Sequence, residues 1–143
     1  MKRILVMLMM LFIATGCGGK EIKELDLDKA SQTIEKTLSN MEIISDETLD
    51  DVYDLDFDSE ERHIVKQNSE GDMYAIIFTE DRYEMKEEMD AYFDKVRDFN
   101  TAYSPERVKL IDERLEKEIG NYLIYIVAEN SESIYQDIIN TME

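Results

Sequence analysis

The chain reads as an α+β domain: a two-layer sandwich in which two hairpins make one four-stranded antiparallel sheet, with helices packed on one face. Three observations predict it. Two runs of β-formers, Met73 to Thr79 and Tyr122 to Ala128, each follow a turn signal, Asn68-Ser69-Glu70-Gly71-Asp72 and Gly120-Asn121. Between them Met85, Met89, Tyr92, Val96, Phe99 and Tyr103 recur in steps of four and three, the spacing of one helix face. After residue 60 the element order is strand, strand, long helix, strand, strand, helix, a doubled unit in order though not in sequence.

Ahead of that body, residues 1 to 16 have the anatomy of a secretory signal: Lys2-Arg3, an apolar core from Ile4 to Ala14, then small residues. The core is too short to span a bilayer, which takes roughly 20 apolar residues across ~30 Å of hydrocarbon. Ala14-Thr15-Gly16-Cys17 resembles the lipobox of bacterial lipoproteins, whose cysteine is alkylated with a diacylglyceryl group and becomes the first residue after cleavage. The resemblance implies that Cys17 is a lipid attachment site on the outer face of the cell membrane. Two acyl chains suffice for stable attachment, whereas one is marginal. Residues 17 to 25 then form a short polar tether spanning roughly 15 Å, and 26 to 143 a single acidic domain.

Charge and cysteine count narrow the function classes. Removal of residues 1 to 16 leaves 14 Lys and Arg against 34 Asp and Glu, a formal charge of −20. Nucleic acid and an anionic lipid surface would both repel such a body. Cys17 is the single cysteine, so once lipidated it leaves no thiol for disulfides, metal or nucleophilic attack. The fold must stand on packing alone.

In chain order, Leu27, Ala30, Ile34, Leu38 and Met41 repeat at helical spacing, with Asp26 or Asp28 as a cap. Ile43-Ile44 leads to a short helix in which Leu49, Val52 and Tyr53 share a face, ended by the acidic turn Asp54 to Asp58. Arg62 to Gln67, with the β-branched pair Ile64-Val65, is the first strand of one hairpin. Asp81 and Glu84 resemble a capping box for the long helix. Ser104 to Gly120 supports either helix or strand. Economy favours a helical or irregular turn at about 105 to 110 and a strand at about 112 to 119, which the Gly120-Asn121 turn pairs with Tyr122 to Ala128. Asn130 or Ser131 caps a last helix with Ile134, Tyr135, Ile138, Ile139 and Met142 inward.

The Cys17 lipobox with Gly18-Gly19, the acidic helix, the Leu49…Tyr53-x-Leu55-Asp56 turn, paired strands, the long charged helix, Tyr103-x-Pro105-Glu106 and Gly120-Asn121-Tyr122 before an apolar strand together resemble an uncharacterised family of small Gram-positive lipoproteins. The resemblance covers nearly the whole chain and implies an envelope lipoprotein domain with no activity to transfer. The acidic run from Asp50 to Glu61 is longer than in that family.

Catalytic motifs are sparse. His63 is the lone histidine, which excludes a histidine metal triad, and there is no Gly-x-Ser-x-Gly elbow. It reads as a packing or solvated residue. Asp54, Asp56 and Asp58 stand at positions one, three and five of a calcium loop, but Ser59 replaces its glycine and Val65 its twelfth-position glutamate. They are weak metal candidates. Met7 to Met10 belong to the signal, and Met85 and Met89 read as core fillers. No cofactor is expected. The function expected is therefore a membrane-anchored, non-enzymatic interaction module with an envelope protein as partner. Two alternatives stand beside it: binding of Ca²⁺ or a cationic peptide through the acidic segment 46 to 61, and a carboxylate-based hydrolase.

Overall fold

The strands Met73–Phe78 and Tyr122–Val127 contain almost no polar residue at either parity, so a sheet built on them cannot leave a face in water. A computed structural model, which describes residues 24–142, shows how the chain answers that demand. Cys17, the signal segment and most of the tether lie outside the described residues. Leu25, the last tether position, is 3% exposed and packed in the core, so the packed body includes a residue ahead of position 26.

The elements are α1 (Leu27–Glu35), β1 (Glu42–Ile43), α2 (Asp46–Tyr53), β2 (Arg62–Gln67), β3 (Met73–Phe78), α3 (Arg82–Thr101), α4 (Pro105–Asp112), β4 (Leu115–Ile119), β5 (Tyr122–Val127) and α5 (Ser131–Met142). The strands form one antiparallel sheet in the order β1-β2-β3-β5-β4. The two expected hairpins are β2–β3 and β4–β5, joined through their second strands, β3 and β5. The α+β class with an antiparallel sheet therefore holds. The sheet has five strands rather than four, because Glu42–Ile43 pairs with Gln67 and Lys66 at the edge.

Helices cover both faces rather than one. Met73, Ala75 and Ile77 of β3, with Leu123, Tyr125 and Val127 of β5, pack beneath α2, α3 and α4 with Leu49, Met85, Met89, Phe93 and Ile111. The intervening residues Tyr74, Ile76, Tyr122, Ile124 and Ile126 pack on α1 and α5 with Ala30, Ile34, Ile134 and Ile138. The physical reason is the absence of alternation in the two central strands. Each fully buried Ile or Leu adds roughly 1.5–3 kcal/mol of apolar transfer, and both parities of β3 and β5 collect it.

Helix ends follow local chemistry. The Asp26 side chain accepts from the Lys29 N–H at 3.0 Å and starts α1, which stops at Glu35, short of the expected Met41, as the chain turns through left-handed Asn40 into β1. Half of the capping box forms: Asp81 accepts from Glu84 N–H at 3.1 Å. The apolar stripe of α3 is buried through Val96, but Phe99 is 57% exposed and Tyr103, beyond the helix end, 89% exposed. Val52, expected to face inward with Leu49, is exposed. The helix expected to reach about 110 extends to Asp112, so β4 begins at Leu115 instead of 112. Gly120, at φ +58°, is the single left-handed residue of the Gly120-Asn121 turn, which matches a type II′ hairpin.

Candidate functional site

Between the end of α2 and the start of β2 the chain carries Asp56, Asp58, Glu60 and Glu61, and opposite them the β3–α3 junction carries Glu80, Asp81, Glu84 and Glu88. These two segments line a cleft of about 580 Å³ with Ser59, Thr79 and Met85, and no Lys or Arg lines it. Backbone donors make such a cluster tolerable. Glu61 accepts from the Asp58 N–H at 2.9 Å, Asp81 caps α3, and Thr79 Oγ1 accepts from the Asp81 N–H at 3.1 Å. The amino end of α3 adds the positive pole of its dipole beneath Asp81 and Glu84.

Glu88 lies one turn beyond that help, half-buried. Burial raises its pKa above the usual carboxylate value, and the charges of Glu61, Glu84, Asp58 and Asp56 push it the same way. A carboxyl whose ionisation is disfavoured thus stands among carboxylates, an arrangement that suits either the attraction of a cation or proton donation.

A second carboxylate cluster has the opposite character. On the other face of the sheet, Glu35 Oε1 accepts from Lys66 Nζ at 2.6 Å, Tyr74 OH at 2.6 Å and Ser31 Oγ at 3.0 Å. Burial raises the Glu35 pKa, but these three hydrogen bonds and the Lys66 charge outweigh it, and the net shift is downward. Burial, and the Glu35 carboxylate as acceptor, push the Tyr74 phenol far above its ordinary value. This cluster rivets α1 to the sheet.

The residues singled out from sequence separate. Asp56 and Asp58 line the cleft, but Asp54 does not. Asp54 occupies a left-handed position at the end of α2, at φ 51°, and its carboxylate pairs with Lys95. The calcium-loop set is therefore not assembled, and among the described residues no group of three His, Cys, Asp or Glu side chains converges as a metal site. His63 stacks flat on Phe57, with ring centroids 3.7 Å apart and 12° between planes, and its Nε2 meets Asp46 at 2.9 Å. No hydroxyl lies at hydrogen-bond distance from it among the described residues, so no Ser-His pair forms. Met85 and Met89 are buried in the core.

Sequence reading located half of the cleft, the 46 to 61 segment, and missed the other half. Glu84 and Glu88 lie opposite the apolar stripe of the long helix, where charge reads as a solvated side, and no local signal distinguishes a solvated glutamate from one facing a second acidic segment.

A scan against protein-family models and searches of curated proteins and of solved structures gave no match to this chain. Among the described residues no helix is long and apolar enough to cross a membrane.

Proposed function

We propose that this protein is a lipid-anchored, extracytoplasmic binding module rather than an enzyme, and that its acidic cleft engages a cationic segment of an envelope protein or peptide. The observation that carries the binding face is eight carboxylates around about 580 Å³ with no basic residue among the lining. Clustered carboxylates raise the local concentration of cationic groups and speed their association, and Glu88 gains a counter-charge on binding. The anchor is read from the lipobox-like Ala14-Thr15-Gly16-Cys17 and the short apolar segment before it. The likeness to small Gram-positive lipoproteins supports the same reading.

The chain joins the described body at Glu24, whose carboxylate lies 3.5 Å from Arg62 at the start of β2. The Thr79 N–H, in the cleft wall, donates to the Asn121 carbonyl at 3.0 Å, tying the cleft to the β4–β5 turn at that same end of the sheet. An anchor at Cys17, seven residue steps from Glu24, holds this end within roughly 25 Å of the headgroups even at full extension. The cleft then meets cationic segments that are themselves at the membrane surface.

Two measurements test the proposal. Metabolic labelling with a radioactive fatty acid is expected to mark the wild-type chain and not Cys17→Ala, which leaves the membrane fraction; labelled Cys17→Ala would end the anchor reading. Binding of a lysine-rich peptide is expected to weaken at least tenfold between ~50 and ~500 mM salt and to weaken likewise in Glu61→Gln/Glu84→Gln/Glu88→Gln. Equal binding by the triple variant refutes the cleft.

The raised pKa of Glu88 favours one second reading, carboxylate acid catalysis, in which Glu88 donates a proton while a neighbour stays ionised. Glycoside and ester turnover by the wild type that disappears in Glu88→Gln would select it.

A further inference from the structure

At the opposite end of the sheet from the acidic cleft, the β2–β3 turn, α2, α3 and α4 enclose a second hollow of about 140 Å³, lined in part by Tyr53, Met73, Val96, Phe99 and Arg107. Its chemistry is the reverse of the cleft's: no carboxylate lines it, and Arg107 is its one charged group. Arg107 also differs from every other described arginine. Arg62, Arg82, Arg97 and Arg114 each have a carboxylate partner, at 3.5, 3.1, 2.8 and 2.8 Å. Arg107 has none within 4.0 Å among the described residues, in a chain with 34 Asp and Glu. Its two polar contacts are long: Nη1 to Asn100 Oδ1 at 3.5 Å and Nη2 to the Asn68 carbonyl at 3.4 Å.

The placement of that guanidinium is built into the fold. The Arg107 stem and Nε lie against Gly71, where a Cβ would collide with them, and Gly71 sits at φ +102°, a conformation side chains rarely adopt. The Asn68 side chain holds the turn under it by accepting from the Glu70, Gly71 and Asp72 N–H groups at 3.0, 2.9 and 3.0 Å. A guanidinium offers five N–H donors in a planar fork. Two weak contacts leave most of them unused, and a carboxylate accepts such a fork in bidentate fashion at roughly 2.7–2.9 Å.

Arg107 also lines a wider groove with Glu70, Asp72, Glu106 and Glu113, but none of these acids lines the hollow or pairs with Arg107 within 4.0 Å. β3 separates the two ends by five residue steps, roughly 17 Å, about twice the ~8 Å screening length at physiological ionic strength. The charges of the cleft are therefore largely screened at Arg107. We propose that this hollow is a binding site for a ligand carboxylate, with Arg107 as the charged contact and Tyr53, Phe99 and Val96 receiving a short apolar tail. The volume equals that of roughly four or five liquid waters at ~30 Å³ each, so the site takes the end of a ligand: a small monocarboxylic acid, or the terminal carboxylate of a peptide chain. It is independent of the membrane anchor and of the acidic cleft.

The test titrates the isotope-labelled full chain in detergent with butyrate and with its neutral isostere butyramide, reading amide signals by NMR. Butyrate is expected to shift Gly71 and the Asn100 side-chain amide saturably, with half-saturation of order 1 mM, and butyramide to leave them in place. Arg107→Gln is expected to lose the response and Arg107→Lys to keep a weakened one. Failure of butyrate to shift these signals, an equal response to butyramide, or an unchanged response in Arg107→Gln each overturns the proposal. If Arg107→Gln fails to fold, the butyrate and butyramide comparison on the wild type decides alone. A valine-terminated tripeptide that displaces butyrate when its carboxyl is free, but not when amidated, identifies a chain terminus as the ligand; no displacement by either identifies the small acid.

Discussion

Glu35 and Glu88 are the same side chain, both half-buried on helices against the same sheet, yet their environments drive them in opposite directions. Glu35 is surrounded by Lys66, Tyr74 and Ser31, so its charge is the preferred state. Glu88 has burial plus Glu61, Glu84, Asp58 and Asp56, so its charge is disfavoured. The difference lies in what the opposite element presents. β2 offers α1 a cation, while the α2–β2 segment offers α3 a row of acids. One carboxylate serves to hold the fold, and the other stands where stability is given up around a cleft.

The largest break in this comparison comes from the layers beneath the two glutamates. Ile76→Ala on the α1 and α5 face and Ile77→Ala on the α3 face are each expected to cost about 2–5 kcal/mol in denaturant unfolding, since both side chains are fully buried. A cost below about 1 kcal/mol on either face would mean that face is not a packed layer. Next in size, Glu35→Ala is expected to cost about 1–3 kcal/mol by leaving Lys66 and Tyr74 without their acceptor. Glu35→Gln, which keeps an acceptor but not the charge, should cost less.

Acidification gives the two glutamates opposite signs. The folded pKa of Glu88 is raised above the ordinary 4.5, so its contribution to stability is full below 4.5 and is lost as pH rises through the folded value. The folded pKa of Glu35 is depressed, so its contribution is present above 4.5 and is lost as pH falls through the folded value. Thermal unfolding is thus expected to show stability rising from pH 7 toward about 4.5 and declining below it. Glu88→Gln should flatten the first limb and Glu35→Gln the second. A profile unaffected by either substitution would erase the contrast. The smallest effect is expected of Glu88→Gln at neutral pH, a gain of about 0.5 kcal/mol or less, shrinking further in ~0.5 M salt.

Most of the fold was legible in the chain because its signals are local. Asn68 to Asp72 and Gly120-Asn121 gave both hairpins, Asp81 gave the start of α3, and unbroken apolar runs marked β3 and β5 as central. The edge strand Glu42–Ile43 was not legible, since a two-residue strand has no periodicity and exists only because β2 is there to pair with it. Phe99 and Tyr103 misled for a related reason. Their spacing continues the buried stripe, but both side chains are exposed, and Tyr103 lies past the end of α3.

The candidate sites divide in the same way. Asp56 and Asp58 advertise themselves by density, whereas Glu88 acquires its role from burial and, besides Glu84 one turn away, from Glu61, Asp58 and Asp56, which are 27 to 32 positions away in sequence. Arg107 is an ordinary helix arginine until the turn at Gly71 is folded beneath it.

By itself, then, the sequence determined most of the secondary structure elements, the acidic balance and the expectation of an anchor at Cys17, all of which follow from composition, spacing or a contiguous motif. Only the tertiary structure decided that both sheet faces are covered, that Asp54 leaves the acidic set for Lys95, and that one half-buried glutamate is stabilised while another is repelled. Those outcomes depend on distances between residues far apart in the chain, and an electrostatic or packing energy is set by distance and surroundings, to which no local pattern of residues gives access.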